Sequence, residues 1–303
     1  MKFPIRLIRN NTDIKFLSYR KVCFIISSLL IAISISFLFL KGLNYGIDFK
    51  GGTLIEIQKI TGDADVGHIR ELIKNIDIGD VQIQEFGNST DVLIRVEQQM
   101  GGDSAQQNVI KLVKGVIGSQ YEFRRVEVVG PKVSSELIYS GILAVLLAIV
   151  AVVLYIWFRF EWQFSIGAML ALMHDIIITI GLFSILQLEF NLSIIAAILT
   201  IVGYSLNDTV VVYDRIREEL RKYKSMNFLD LLNLAVNATL SRTTITSVTT
   251  ILALLSLYIF GGEVIRGFTF AMIWGVIIGT YSSIFIAAPV LLSLNIKRDW
   301  SDS

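Results

Sequence analysis

The sequence predicts a polytopic α-helical membrane protein that carries one small external domain of mixed strands and helices. Three observations carry this. Of the 303 residues, 53% are hydrophobic and only 17% charged, more apolar and less charged than a soluble domain. Six stretches are long and apolar enough to cross a bilayer core of about 30 Å, which takes roughly 20 residues at about 1.5 Å each. The interval between the first and second of them instead shows the periodicities of a soluble fold. The composition also narrows function by exclusion. With 27 basic and 26 acidic residues there is no basic excess for nucleic acid. The single Cys23 excludes an intrachain disulfide, and two histidines, His68 and His174, argue against a histidine-based zinc site; no metal is expected.

The apolar stretches are 22–40, 137–158, 164–186, 192–213, 243–260 and 268–294. The first follows Lys2, Arg6, Arg9, Lys15, Arg20 and Lys21 but runs into Lys41 without a small-x-small cleavage pattern, so it reads as an uncleaved anchor. Residues 1–21 then form a cytoplasmic N-terminus, 22–43 the first membrane segment, 44–136 the external domain, 137–294 the remaining five spans, and 295–303 a cytoplasmic tail. The charges set the orientation. Arg215, Arg217, Arg221, Lys222, Lys224 and Arg242 mark 214–242 as a cytoplasmic loop, and Lys297 and Arg298 do the same for the C-terminus. The turns at 187–191 and 261–267 lack such an excess and fall outside, together with the 44–136 domain.

Within that domain, 53–58 alternates as a strand, and 66–76 places Ile69, Leu72, Ile73 and Ile76 at helical spacing. Residues 81–86 and 91–97 read as strands around Gly87-Asn88. Residues 105–117 read as a helix with Val109, Leu112, Val113 and Val116 on one face, and 121–129 as the last strand. The order is βαββαβ, the ferredoxin-like pattern of a small sheet with two helices on one face. The entrance, Gly46-Ile-Asp-Phe-Lys-Gly-Gly52, lacks the Lys-Ser/Thr of a phosphate loop and precedes a strand rather than a helix. It reads as a sterically tight exit from the first span, with Asp48 a turn or interface residue.

Three polar features interrupt the spans. Asp208, beside Asn207, lies about six residues, or roughly 9 Å, inside the cytoplasmic end of the fourth span. His174-Asp175 falls near the middle of the third, and Arg242 opens the fifth at nearly the level of Asp208. Ionisable groups at such depth are rare, costly by about 2.5 to 3.5 kcal/mol on insertion scales, and usually face a bundle interior or a wet path. A carboxylate whose proton affinity depends on whether one arginine is near or far is a switched proton carrier. The alternatives are a packing role for Asp208 and a satisfied buried pair for His174 and Asp175. The hydroxyls from Thr243 to Thr250 fit bonds to their own helix. Gly203, Ser205, Gly275, Gly279, Ser282 and Ser283 permit close helix approach. Residues 227–240 form a further helical run, opened by Asn227 and Asp230, that lies on the membrane surface or packs beneath the bundle.

Together, Gly46–Gly52, His174-Asp175, the run GYSLNDTVVVYDRIRE from Gly203 to Glu218, Ser241-Arg-Thr243 and FGGEVIRGF from Phe260 to Phe268 resemble the SecD/SecF family of bacterial protein-export accessories, within the resistance-nodulation-division superfamily. The resemblance covers nearly the whole chain, on the side of the smaller subunit. It implies one six-helix half whose partner half is SecD, a multi-pass protein of the bacterial inner membrane, and use of the proton motive force in late steps of preprotein translocation through SecYEG. It implies YajC and YidC as further partners, membrane lipid around the bundle, the translocating preprotein as substrate, protons as the only coupling ion, and no cofactor or catalytic activity. It places the coupling residues at Asp208 and Arg242, with Asn207, Asp175 and His174 around them, and a structural motif at Gly46, Asp48, Gly51 and Gly52. Three other functions compete with this one: half of a proton-driven small-molecule or lipid exporter, an intramembrane aspartyl protease built on Asp175 and Asp208, and a passive scaffold.

Overall fold

The computed structural model describes residues 12–99, 101–294 and 296. Lys2, Arg6, Arg9, Lys297 and Arg298, used above for orientation, lie outside the described residues. A 3-10 turn, Phe16–Tyr19, leads into α1 (Arg20–Leu40). The chain leaves the bundle through β1 (Asn44–Tyr45) and a single turn α2 (Ile47–Lys50), then builds β2 (Gly52–Lys59), α3 (Val66–Lys74), β3 (Val81–Phe86), β4 (Asn88–Val96), α4 (Gly102–Ile117) and β5 (Tyr121–Val129). It returns through α5 (Pro131–Arg159), α6 (Trp162–Leu186), β6 (Glu189–Phe190), α7 (Leu192–Lys222), α8 (Phe228–Phe260) and α9 (Glu263–Ser282). A π-helical turn Ser283–Ala287, a short α10 (Ala288–Val290) and a 3-10 turn Leu291–Ser293 continue the last span. Among the described residues, six helices are long and apolar enough to cross a membrane.

The four-stranded sheet has the order β3-β4-β2-β5, every neighbouring pair antiparallel. Period-two alternation sends Ile55, Ile57, Val92, Ile94 and Val96 to one face, where Ile69 and Ile73 of α3 and Val109 and Val113 of α4 close the core. The other face carries a smaller cluster, Leu54 and Leu93 against Ile47 of the glycine-rich entrance. In α3, Asp65 accepts from the His68 amide at 2.9 Å, which fixes the helix start.

Two helices run well past the membrane boundaries read from hydropathy. The connection between α7 and α8 is therefore residues 223–227, and most of 214–242 is helix rather than loop. The cause is burial: Ile216, Glu219 and Leu220 lie on the inner side of α7, and Leu231, Leu232, Ala235 and Val236 on that of α8. Asn227 caps α8 by accepting from the Leu229 amide at 2.9 Å, and no break separates 228–240 from the span. That run packs beneath the bundle, with Asn233 and Asn237 accepting from the Leu17 and Ile14 amides, each at 3.0 Å. It does not lie along the membrane surface.

The bundle core has two apolar layers. One, including Phe160, Phe164, Tyr213, Leu231 and Leu291, lies at the α7–α8 end. The other, including Phe49, Phe183, Phe190, Ile194 and Met272, lies at the end of the bundle that bears the four-stranded domain. Between them sits a polar layer that holds Asp175, Ser205, Asp208, Ser282 and Ser283.

Candidate functional site

Asp175 is 1% exposed and His174 3%. His174 Nδ1 lies 2.9 Å from Asp175 Oδ1, while Ser205 of α7 and Ser282 of α9 donate to Asp175 Oδ2 at 2.6 and 2.8 Å. Three helices thus converge on one carboxylate whose hydrogen-bonding capacity is well used. Gly275 and Gly279 make this approach short: a Cβ on Gly279 would lie 3.0 Å from that of Ser205, and one on Gly275 would run into Ile201. His174 stacks on Tyr281, centroids 5.9 Å apart, and Tyr281 bonds to Ser27 at 3.0 Å and to the Cys23 carbonyl at 3.1 Å, which ties α1 to the layer.

Asp208, 5% exposed, sits one turn of α7 beyond Ser205. Its one hydrogen bond of good geometry is a long one, 3.3 Å, from Ser283. Thr243 and Arg242 lie within its electrostatic reach, yet Thr243 Oγ1 is buried without a hydrogen-bond partner. Among the described residues no ion pair joins Asp208 to Arg242. Arg242 is exposed and points out of the bundle, as does Asn207. Only Thr243, the next residue, turns its hydroxyl inward, because successive residues of a helix point about 100° apart. The two carboxylates thus contrast: Asp175 is held by three short contacts, Asp208 by one long one. Gly203 also faces open space, so it gives no close helix contact.

The role of the consecutive serines was not legible from their size alone. A signal for it stands in the sequence: Pro289 lacks an N–H and its ring crowds the carbonyl four residues back, so an α-helix must loosen upstream of it. The loosening is the π-turn Ser283–Ala287, and Tyr213 donates to the Ala287 carbonyl at 3.3 Å within it. Such turns recur at functional sites. The threonine run splits. Thr246 and Thr249 bond their own helix carbonyls, whereas Ser247 bonds Thr280 across to α9 at 2.7 Å.

A second constellation joins the bundle to the four-stranded domain. β1 and β6 pair in parallel, Asn44 with Glu189 and Tyr45 with Phe190, and Asp48 accepts from the Leu192 amide at 2.8 Å, capping α7 from 144 positions away. Arg95 of β4 forms an ion pair with Glu189, and a Cβ on Gly46 would lie 2.6 Å from Glu189 Oε1. Asp48 is thus an interface residue, and the helix carrying Asp208 is fixed at its start by the glycine-rich entrance. Burial pushes the Glu189 carboxyl up from its ordinary range and Asp48 adds to the rise, against the pull of Arg95 and Arg125. A joint opened to solvent would return Glu189 to its ordinary range. Lowering the pH through the raised value should therefore favour the joint as it stands, closed, over an opened one, and raising it above that value should remove the preference. Spin labels at Gln84 and Leu186 are expected to show the closed population growing as pH falls, and Glu189→Gln to flatten the profile. A flat parent profile would contradict this.

The comparisons with known proteins fit this geometry. The family described as "Protein export membrane protein SecD/SecF, C-terminal" matches residues 108–297, which hold the whole polar layer, and the "SecD/SecF GG Motif" matches 36–58, which hold β1, Asp48 and the glycines of the joint. A protein translocase subunit SecF from Rickettsia conorii is 45% identical over 296 residues, covering 95% of this chain and 94% of its own. One from Rhodobacter capsulatus is 43% identical, covering 99% and 94%. A SecDF from Brucella abortus is 43% identical over 100% of this chain and 40% of its own. The crystal structure of SecDF, a translocon-associated membrane protein from Thermus thermophilus, superposes with a TM-score of 0.83 at 33% identity, over 96% of this chain and 40% of that one. The chain thus spans about two fifths of these SecDF proteins and nearly all of the SecF relatives. Six apolar helices, a glycine joint below a small domain and a family match running from one to the other place this multi-pass membrane protein in the SecD/SecF family.

Proposed function

We propose that this chain is the smaller half of a proton-coupled accessory of bacterial protein export, acting with a SecD half on preproteins leaving the SecYEG channel, with YajC and YidC as further neighbours. The observation that carries the reading is Asp208, buried between helices yet held by one long hydrogen bond, beside an arginine that faces out of the bundle. Arginine at such depth rarely faces lipid, so the α7–α8 face that bears Arg242 and Asn207 is the one that meets the SecD half. The SecDF relatives, in which this chain's counterpart is continuous with a longer polypeptide, support that partner. The protein lies in the inner membrane with both termini and residues 223–227 cytoplasmic. The basic residues Arg215, Arg217, Arg221, Lys222 and Lys224 at that end support this orientation. The domain rocks on the glycine joint and holds an emerging segment against back-sliding.

Protons are the coupling ion, and the chain uses no cofactor and performs no covalent chemistry. One proton is worth about 2.3 kcal/mol per 100 mV, enough to bias a two-state bundle. A protease dyad would share a proton between its carboxylates, and Asp175 of α6 and Asp208 of α7 have no hydrogen bond between them among the described residues, which weighs against that reading. A lipid-exporter half has one observation in its favour, an apolar cavity of about 480 Å³ lined by residues such as Tyr45, Phe49, Ile142 and Phe190. The test is reconstitution of the chain with its SecD half and the channel in vesicles. Imposing a proton gradient should raise export of a reporter protein only when the chain is present. Gradient-driven lipid release without a change in reporter export would favour the exporter.

A further inference from the structure

The last span brings two adjacent hydroxyls to two carboxylates on two other helices. Ser282 ends the α-helical part of the span and donates to Asp175 of α6 at 2.8 Å. Ser283 opens the π-turn and reaches Asp208 of α7 at 3.3 Å. Neighbouring residues of a helix diverge by about 100°, so a consecutive pair can serve partners on both sides of α9. Each hydroxyl also has a second acceptor, a carbonyl of its own helix: Gly279 at 3.2 Å for Ser282 and Thr280 at 2.9 Å for Ser283. A serine has one proton to donate, so each must choose. In this structure the shorter contact of Ser282 is to its carboxylate and that of Ser283 to its own helix.

We propose that Ser282 and Ser283 are positioning residues that form a paired hydroxyl switch, through which the charge state of Asp208 is read by the last span. When Asp208 is ionised, Ser283 turns from the Thr280 carbonyl to the carboxylate. When Asp208 takes up a proton, the hydroxyl returns to its own helix. The boundary between α and π geometry falls between the two serines, so the turn that carries Ser283 moves with that choice while Ser282 stays anchored on Asp175 by a carboxylate that Ser205 and His174 also hold. Pro289 keeps the turn loose enough to follow. The charged group within electrostatic reach of Asp208 is the outward-pointing Arg242 of α8, and the titratable groups of the adjoining polar layer are Asp175 and His174 on α6, with Tyr281 of the last span stacked on His174. Two hydroxyls face Asp208, Thr243 from α8 and Ser283 from the last span; Ser283 is the one in hydrogen-bond geometry among the described residues, and it comes from the segment that Pro289 loosens.

This inference rests on the proton-coupling reading above, and its test separates the two. In reconstituted complexes, gradient-driven export is measured against pH for the parent, Ser283→Ala, Ser283→Thr and Asp208→Asn. Ser283→Ala should displace the pH midpoint by about half to one unit, the worth of one hydrogen bond, and Ser283→Thr, which keeps the hydroxyl, should restore it. If Ser283→Ala does not assemble, Ser283→Cys takes its place, read by the infrared carbonyl band that Asp208→Asn removes. That band should shift when the hydroxyl is replaced by the weaker thiol donor. An unchanged midpoint and an unshifted band overturn the switch while leaving proton coupling intact. Gradient dependence that survives in Asp208→Asn overturns the coupling reading itself.

Discussion

Asp208→Asn is expected to abolish the gradient-dependent part of export while the complex still assembles. The asparagine has nearly the same shape, can still accept from Ser283, and leaves the apolar layers on either side untouched, so packing gives no reason for collapse. What it cannot do is alternate between a neutral and a charged form. At 100 mV each proton carried is worth about 2.3 kcal/mol, or about a 50-fold bias on a two-state equilibrium, and that whole factor should vanish. Arg242→Met should act in the same direction for a different reason. Arg242 makes no ion pair with Asp208, so removing it does not orphan a bonded carboxylate; it removes the positive field and the group presented to the partner half. Measured side by side in vesicles, with assembly followed by co-purification, both variants should export at the gradient-free rate of the parent. Persistence of the gradient effect in both would make the pair structural and move the motor elsewhere.

The distribution of what the sequence discloses follows from physics. Hydropathy reports burial in lipid or protein without distinguishing them, so it finds the six spans, but it ends α7 at Tyr213, where charge begins. Ile216, Glu219 and Leu220 are buried against neighbouring helices rather than in lipid, and a window average blurs their one-sided pattern with Arg215, Arg217 and Arg221 on the other faces. Asp208 is legible because a carboxylate in an apolar run has few explanations. The direction of Arg242 is not, since one helical residue more or less rotates a side chain by 100°. Thr243, not Arg242, faces the carboxylate. The cap that Asp48 places on α7 joins residues 144 positions apart and has no local signature. The π-turn has one, Pro289, whose consequence for Ser283 follows only once the neighbours of that turn are known.

Gly52→Val should be among the most damaging single changes outside the polar layer, because it breaks the joint that places the domain over α7. Gly52 has φ of +121°, a conformation that a β-branched residue adopts only under strain, and a Cβ there would drive into the Val96 carbonyl and lie 3.3 Å from the Gln98 amide. Both are backbone atoms, so no side-chain rotation can relieve the overlap. The adjoining register pairs Thr53 with Val96 and Gly52 with Val129, so the strand pushed aside is β4. That strand carries Arg95, which holds Glu189 at the entry to α7. Backbone strain of about 1 to 3 kcal/mol plus the displaced pairing should together cost about 3 kcal/mol or more. Gly62→Val separates the two contributions: φ is +77° but no atom lies within 4 Å of its Cβ position, so it suffers strain alone, about 1 to 2 kcal/mol. Thermal unfolding in detergent should therefore rank Gly52→Val well below Gly62→Val. In the same samples the label distance between Gln84 and Leu186 should broaden for Gly52→Val only. Equal losses at the two glycines would mean that the close approach at Gly52 contributes nothing, and that the domain is held over α7 by the Asp48 cap and the β1–β6 pair without it.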